Sequence, residues 1–369
     1  MLPAPPAPPP SASAQDPPIL LLRADGVIGP DCVLIPDGVV LVRGDRILAV
    51  GQKVATPSSA RVIQLEGVLA PGFVDAFTRL GAEGGISEAS SWSTPRLRAV
   101  DALDPDAEVW RERLAHGVTA AQLVPAVRDP DGDPIRVLAG TAGVVASGGR
   151  DRLLLAVGRS TVGLISGPFT SREGGPGSLA GAAEALGRSL AADPGVVGAK
   201  ALVVVDSAEG VRAGRAALAD RDLAWLGRGD PAAYGGLLRG ELLGLPAIDD
   251  GNWTPRRIET WRRLHAAGVR IAFGTGAGGS WNGPGALRAS AMAFARATGD
   301  AAAALAAITR NAADLAGLGR GYGRLAPGAR ADLVLWSGHP LDAAARVRSV
   351  MIAGRTVWSA APVAREEEE

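Results

Sequence analysis

Residues 67–80 read GVLAPGFVDAFTRL. Between Val68 and Ala76 a single charge, Asp75, interrupts an otherwise apolar run broken only by Pro71-Gly72. An apolar run without polar alternation reads as a strand buried on both faces, as in a parallel sheet covered by further layers.

Downstream the same kind of run recurs at 118–124, 144–146, 161–165, 201–206, 223–227, 242–248 and 269–274. Helical stretches fall between them at 107–115, 179–192, 207–219, 254–267 and 285–297. Start signals mark several of these, such as Ser207 with Glu209, and Thr254 followed by Pro255. About eight strands alternating with helices predict an α/β fold, a shortened (β/α)8 TIM-type barrel. An open doubly wound sheet is the alternative, and periodicity alone does not separate the two.

Upstream the pattern changes. Short β-type runs at 19–22, 33–35, 39–42 and 47–50 are punctuated by Asp25-Gly26, Asp37-Gly38 and Gly44-Asp45. A matching unit closes the chain at 332–336, 347–352 and 356–358, with Ala353-Gly354-Arg355 as a turn. The two ends are expected to form a small composite β-sandwich from residues 19–66 and 322–363, with the barrel, residues 67–321, inserted between them. Residues 1–18 are expected to be a disordered Pro/Ala-rich leader and residues 364–369 a solvated acidic tail.

The 369 residues are 47% hydrophobic and 21% charged, enough for a sizeable core. Lys plus Arg equals Asp plus Glu at 38 each, which argues against a nucleic-acid or anionic-membrane surface. No apolar run is long enough to span a bilayer. Cys32 is the only cysteine, so no internal disulfide or cysteine metal site can form; it is expected to be a small apolar residue in a strand. Arginine supplies nearly all the positive charge, the only lysines being Lys53 and Lys200, a composition that fits a GC-rich bacterial genome. The leader has neither the hydrophobic core nor the basic start of an export signal, which reads as cytoplasmic. Its Ser11-Ala12-Ser13-Ala14-Gln15 resembles the small-residue end of such a signal, which keeps a periplasmic or exported protein with an upstream start as the alternative.

Several stretches resemble the amidohydrolase superfamily, particularly its imidazolonepropionase-like and dihydroorotase-like branches. They are residues 38–51 (GVVLVRGDRILAVG), 67–80, 268–276 (GVRIAFGTG) and 306–352, which runs from AAITRNAADLAGL through YGRLAPGARADLVLWSGHPLD into VRSVMI. Residues 88–104 and 116–125 resemble the imidazolonepropionase-like branch, while residues 129–246 match only loosely. The resemblance implies a β-sandwich joined to a barrel, an active site at the C-terminal mouth of that barrel, and hydrolysis of non-peptide C–N bonds, often in cyclic amides, by metal-activated water.

That chemistry needs a metal, usually zinc, to bring the pKa of bound water to about 7. In the family an HxH pair at the end of the first strand grips the metal, because residues i and i+2 of a strand point the same way. Here those positions hold Phe77 and Arg79. Phenylalanine cannot ligate, and arginine is a permanent cation. The expected histidine of strand five falls on Asp206, and the strand-eight aspartate, ligand and proton shuttle in the family, is replaced by Gly276 beside Thr275. The three histidines, His116, His265 and His339, lie away from the expected mouth and lack metal-ligand spacing. Lys200, at the start of strand five, is poorly placed to bridge metals.

No cofactor is therefore expected, although the family would use zinc. The pocket candidates are Asp75, Phe77, Arg79, Asp206, Thr275 and Gly276. Asp75 reads as a backbone-bonding residue near strand one, and Arg79 with Asp206 as a salt bridge across the degenerate site. Residues 274–279 (GTGAGG) also offer a weak anion-binding pattern. The function expected is that of a pseudoenzyme that binds a small-molecule ligand or an intact amidohydrolase partner, with a homodimer possible by resemblance. The alternative is an active hydrolase on cyclic amides, with Asp206 or Asp75 as base.

Overall fold

A computed structural model describes residues 17–82, 85–86, 88, 90–127, 136–148, 154–165, 176–227, 234, 236–248, 254–276 and 283–360. Most of the expected leader, the acidic tail and the loop stretches 166–172 and 174–175 lie outside the described residues, as do Asp230 and Asp249-Asp250.

Strands from both chain ends share one hydrogen-bonded sheet. It contains β1 (Ile19–Ile28), β2 (Leu34–Pro36), β3 (Val39–Arg43), β4 (Arg46–Gly51) and β5 (Arg61–Pro71), with β14 (Leu333–Trp336), β15 (Val347–Ile352) and β16 (Arg355–Ser359) from the C-terminal end. β14 pairs antiparallel with β5, which runs parallel to β1. The period-2 rule sorts its side chains. Leu22, Ala24, Val40 and Val42 pack on one face with Leu325 and Leu333, and Leu21, Val39 and Leu41 on the other. Cys32 is not in a strand. It sits in the turn after β1 with φ at 69°, buried, its Sγ 3.9 Å from Thr309 Oγ1. Burial pushes its thiol pKa up, against the nearby Arg310.

The second sheet is the barrel wall. Its eight strands are β6 (Phe73–Thr78), β7 (Val118–Leu123), β8 (Leu138–Ala146), β9 (Leu154–Leu164), β10 (Lys200–Val205), β11 (Asp222–Gly227), β12 (Leu242–Pro246) and β13 (Arg270–Gly274), paired in that order. The ends of the series approach each other: Gly276 N, just past β13, donates to Phe77 O at 3.0 Å, while Val74 N donates to Ile308 O at 2.8 Å, in the link after Ala307, leaving the barrel nearly closed.

Seven strands run the same way, and β8 runs against its neighbours β7 and β9. Only residues 147–153 separate β8 from β9. A parallel return needs a crossover of a dozen residues or more, so a link this short imposes an antiparallel pair. The expected strand at 144–146 is thus the end of a longer, reversed one.

The helices are α1 (Val109–Ala115), α2 (Leu179–Ala192), α3 (Ala208–Ala217), α4 (Pro255–Ala266), α5 (Gly285–Thr298), α6 (Ala301–Ala307) and α7 (Arg310–Leu315). The expected caps form: Ser207 Oγ accepts from Gly210 N, and Thr254 Oγ1 from Arg257 N, with Pro255 opening α4.

Alternation along the strands separates two cores. Val203, Val205, Trp225, Ile271 and Phe273 pack outward with Leu186 of α2, Val211 of α3, Trp261 of α4 and Phe294 of α5. Leu202, Val204, Ala224, Leu226 and Ala272 face inward with Val74, Ala76 and Phe77, together with Ala312, Ala313 and Leu315 of α7. α7 closes the end where the strands begin, since Asn311 Nδ2 donates to Ile271 O at 3.0 Å. Among the described residues, no helix is long and apolar enough to cross a membrane.

Candidate functional site

The C-terminal ends of the seven parallel strands define one mouth. Arg79 follows β6 and Asp206 follows β10, both half-buried. Residues 128–135, 166–175, 228–233, 249–253 and 277–282, which follow strand ends in the sequence, lie outside the described residues.

The remaining candidates are brought together where β6 meets the end of β13. Asp75 is fully buried there. Its Oδ1 accepts from Thr275 N at 3.0 Å, and its Oδ2 from Thr275 Oγ1 at 2.6 Å and from Arg113 Nη1 at 3.0 Å. Arg113, from α1, is also fully buried, donates through Nη2 to Thr78 Oγ1 at 3.1 Å, and lies over the Trp110 ring at 5.4 Å. The Thr78 and Thr275 hydroxyls are 2.8 Å apart, and Thr78 Oγ1 accepts from Leu80 N at 3.1 Å. Because Thr275 donates to Asp75, Thr78 is the donor to Thr275, and the chain of hydroxyls is satisfied in one direction. Asp75 bonds backbone as expected, but the backbone is that of strand eight, and an arginine shares the carboxylate. With three donors on two oxygens and no solvent contact, Asp75 is not placed to act as a base on a bound substrate.

Phe77 turns into the barrel lumen, where it is 1% exposed. Gly276 lies against β6 so closely that a Cβ added to it would stand within 3.0 Å of three backbone atoms of Thr78. Gly274 is held as tightly against Phe77. Gly276 is therefore a close-packing position, and an aspartate there has no room for its first carbon. Of the glycine-rich pattern at 274–279, the amides of Thr275 and Gly276 donate to Asp75 Oδ1 and Phe77 O, and residues 277–279 lie outside the described residues.

The histidines lie apart. His116 caps the C-terminus of α1. His265 faces Asp300 at 3.5 Å and the Phe294 ring at 5.7 Å. His339 Nδ1 accepts from Leu341 N at 3.2 Å. Lys200 is exposed and donates to Gly317 O at 3.0 Å. Among the described residues, no group of three or more His, Cys, Asp or Glu is arranged to hold a metal. Phe77 and Gly276, the positions at which the resemblance implies ligands, do not fit a divalent ion, one for want of a donor atom and the other for want of space for a side chain.

Three participants were not singled out in the sequence. Arg113 and Thr78 complete the Asp75 cluster. A signal for Arg113 exists: with Trp110 and Leu114 it forms one helical face at i, i+3, i+4 spacing, and a charge on such a face needs a buried partner. The third is Gln122. It follows the lumen-facing Ala120 by two residues, is fully buried, and among the described residues neither its Oε1 nor its Nε2 has a hydrogen-bond partner.

Residues 249–357 match the sequence model of the Amidohydrolase family. No curated protein matches the chain by sequence. Among solved structures, an amidohydrolase from Thermotoga maritima superposes with a TM-score of 0.75 at 22% identity, covering 92% of this chain and 100% of that one. A molinate hydrolase gives 0.59 at 14% identity over 93% and 95%, and the A. niger ochratoxinase 0.54 at 15% over 93% and 96%. At these identities the likeness is one of fold. The family match takes in the eighth strand and the return into the terminal sheet, and the barrel with its second sheet has the fold of solved amidohydrolases.

Proposed function

We propose that this chain is a catalytically inactive amidohydrolase-fold protein, a pseudoenzyme that works by binding a small ligand at the barrel mouth. The observation that carries the reading is the seating of Gly276 against the Thr78 backbone, which leaves no room for the strand-eight carboxylate. Loss of a general base alone typically slows such reactions by about 10²–10⁴-fold. Phe77 in the lumen adds the loss of a ligand at the first strand. Gln122 supports a ligand over the other role considered, a structural subunit of an intact amidohydrolase. A buried amide without partners costs free energy, and a polar ligand reaching into the lumen would satisfy it. Arg79 and Asp206, at the ends of β6 and β10, are the charged groups such a ligand would meet, or they pair with each other.

The test is metal content together with turnover. Protein purified without a histidine tag and offered zinc, manganese and iron is expected to retain less than about 0.1 equivalent of each and to leave hydantoins, dihydropyrimidines and imidazolones intact. One or two tightly held equivalents, or turnover abolished by Asp206→Ala, would replace this reading with that of an active hydrolase.

A further inference from the structure

We propose that the base of the barrel, at the end away from the mouth, carries a binding site for a small phosphorylated anion. A cavity of about 890 Å³ opens there between the start of β13, helices α6 and α7, and the turn that follows α7. That volume suits a small-molecule ligand. Four guanidinium groups line it, those of Arg270, Arg310, Arg320 and Arg324, and the one carboxylate among its walls is Asp314.

Asp314 does not neutralise the cleft. It fixes two of the arginines in place: Arg324 Nη2 lies 2.9 Å from its Oδ1, and Arg270 Nη2 pairs with its Oδ2. Arg270 is held again by Asn311 Oδ1, at 3.3 Å from Nε and 3.2 Å from Nη2. Arg310 uses Nη1 on Pro30 O at 3.0 Å. Arg320 is exposed on the turn after α7 and is joined to no described partner. Anchored guanidinium groups with donors to spare are pre-organised, so little side-chain freedom is lost when an anion binds.

Arg324 lines the cleft with most of its side chain buried, its Nη2 held by Asp314 Oδ1 at 2.9 Å. Around a largely buried cation the effective dielectric is lower, so an anion in the cleft is attracted more strongly than on an open surface. Guanidinium groups around one cavity suit a tetrahedral dianion better than a planar carboxylate, since a phosphoryl group offers three oxygens to separate donors. The chemistry points to a small phosphate ester or diphosphate. The cleft lies at the opposite end of the barrel from the mouth, so this site is independent of the pocket proposed above.

The experiment is calorimetric titration of the full chain with inorganic pyrophosphate in low-chloride buffer. Inorganic phosphate serves as the weaker probe, and Arg320→Ala, Arg310→Gln and the remote Arg188→Ala as variants. One pyrophosphate is expected per chain, with affinity reduced about tenfold or more by Arg320→Ala and by Arg310→Gln and unchanged by Arg188→Ala. Because Arg320 has no described partner to lose, its variant should unfold at the wild-type midpoint, and a binding loss there cannot be blamed on the fold. Three outcomes would each overturn the proposal: no binding at about 10 mM pyrophosphate, binding indifferent to both cleft variants, or equal weakening by Arg188→Ala, which would mark a diffuse charge effect.

Discussion

The two ends of the barrel handle charge in opposite ways. Where β6 meets the end of β13, one carboxylate and one guanidinium face each other at 3.0 Å, and every oxygen of Asp75 is occupied by Arg113 or Thr275. At the base, four guanidinium groups line one cleft with a single carboxylate, Asp314, which pairs with only Arg270 and Arg324. Polar groups near the mouth hold the wall closed, while those at the base keep donors in reserve. Resemblance draws attention to the mouth; the excess of guanidinium over carboxylate draws it to the base.

The largest expected effect tests the closed end. Removing one partner of a buried, hydrogen-bonded pair leaves the other charge stranded, so Asp75→Ala or Arg113→Ala should each cost about 3–5 kcal/mol in urea unfolding. The double change Asp75→Leu/Arg113→Leu should cost less than the two single changes added together, because neither charge is then left alone. Single losses below about 1 kcal/mol would mean that the pair does not hold the seam.

A smaller effect separates the two ends directly. Gly276→Ala forces a methyl group against the Thr78 backbone and should destabilise by about 1–3 kcal/mol. Arg320→Ala at the base should stay within about 0.5 kcal/mol of wild type. Equal effects from the two would remove the distinction between a packed seam and an open cleft.

The smallest effect belongs to neither end and serves as a reference. Desolvation lowers the pKa of His339, partly offset by Asp342, and its Nδ1 accepts a hydrogen bond only when deprotonated. Between its lowered folded pKa and the ordinary value near 6.5, the folded chain binds fewer protons than the unfolded one. Its contribution is therefore complete above the ordinary value and is lost as pH falls through the folded pKa. His339→Gln should flatten that part of the pH–stability curve, measured as urea midpoints from about pH 7.5 to 5, without altering stability at the upper end. A curve unchanged by the substitution would show that His339 is not the sensitive group.

Much of the scaffold was legible in the sequence because its signals are local. The run at Val68–Ala76 became the end of β5 and most of β6, and Ser207 and Thr254 cap the helices they precede. The reversal of β8 was not legible, because a short apolar run carries no direction. The length of the link at residues 147–153 was the clue, and it required the limits of β8 and β9 to be known. Cys32 was misread for a related reason: its neighbours favour a strand, but a positive φ in the turn beside Thr309 depends on a contact far along the chain. Arg113 lay in view on an apolar helix face, yet its partner Asp75 is 38 residues away. The base cleft had no sequence signature, since its arginines are anchored from β13, α7 and the turn beyond.

Local pattern alone set the order of strand and helix signals, the β-type segments at both chain ends, and the lack of imidazole or carboxylate at Phe77, Arg79 and Gly276. Those follow from residue type and near-neighbour spacing, which a chain carries whether folded or not. It takes the folded chain to show that Gly276 has no space for a side chain, that Asp75 is committed to Arg113 and Thr275, and that four arginines converge at the base. Each of these depends on distances between residues remote in sequence, and close packing fixes such distances to a fraction of an ångström only once the chain has folded.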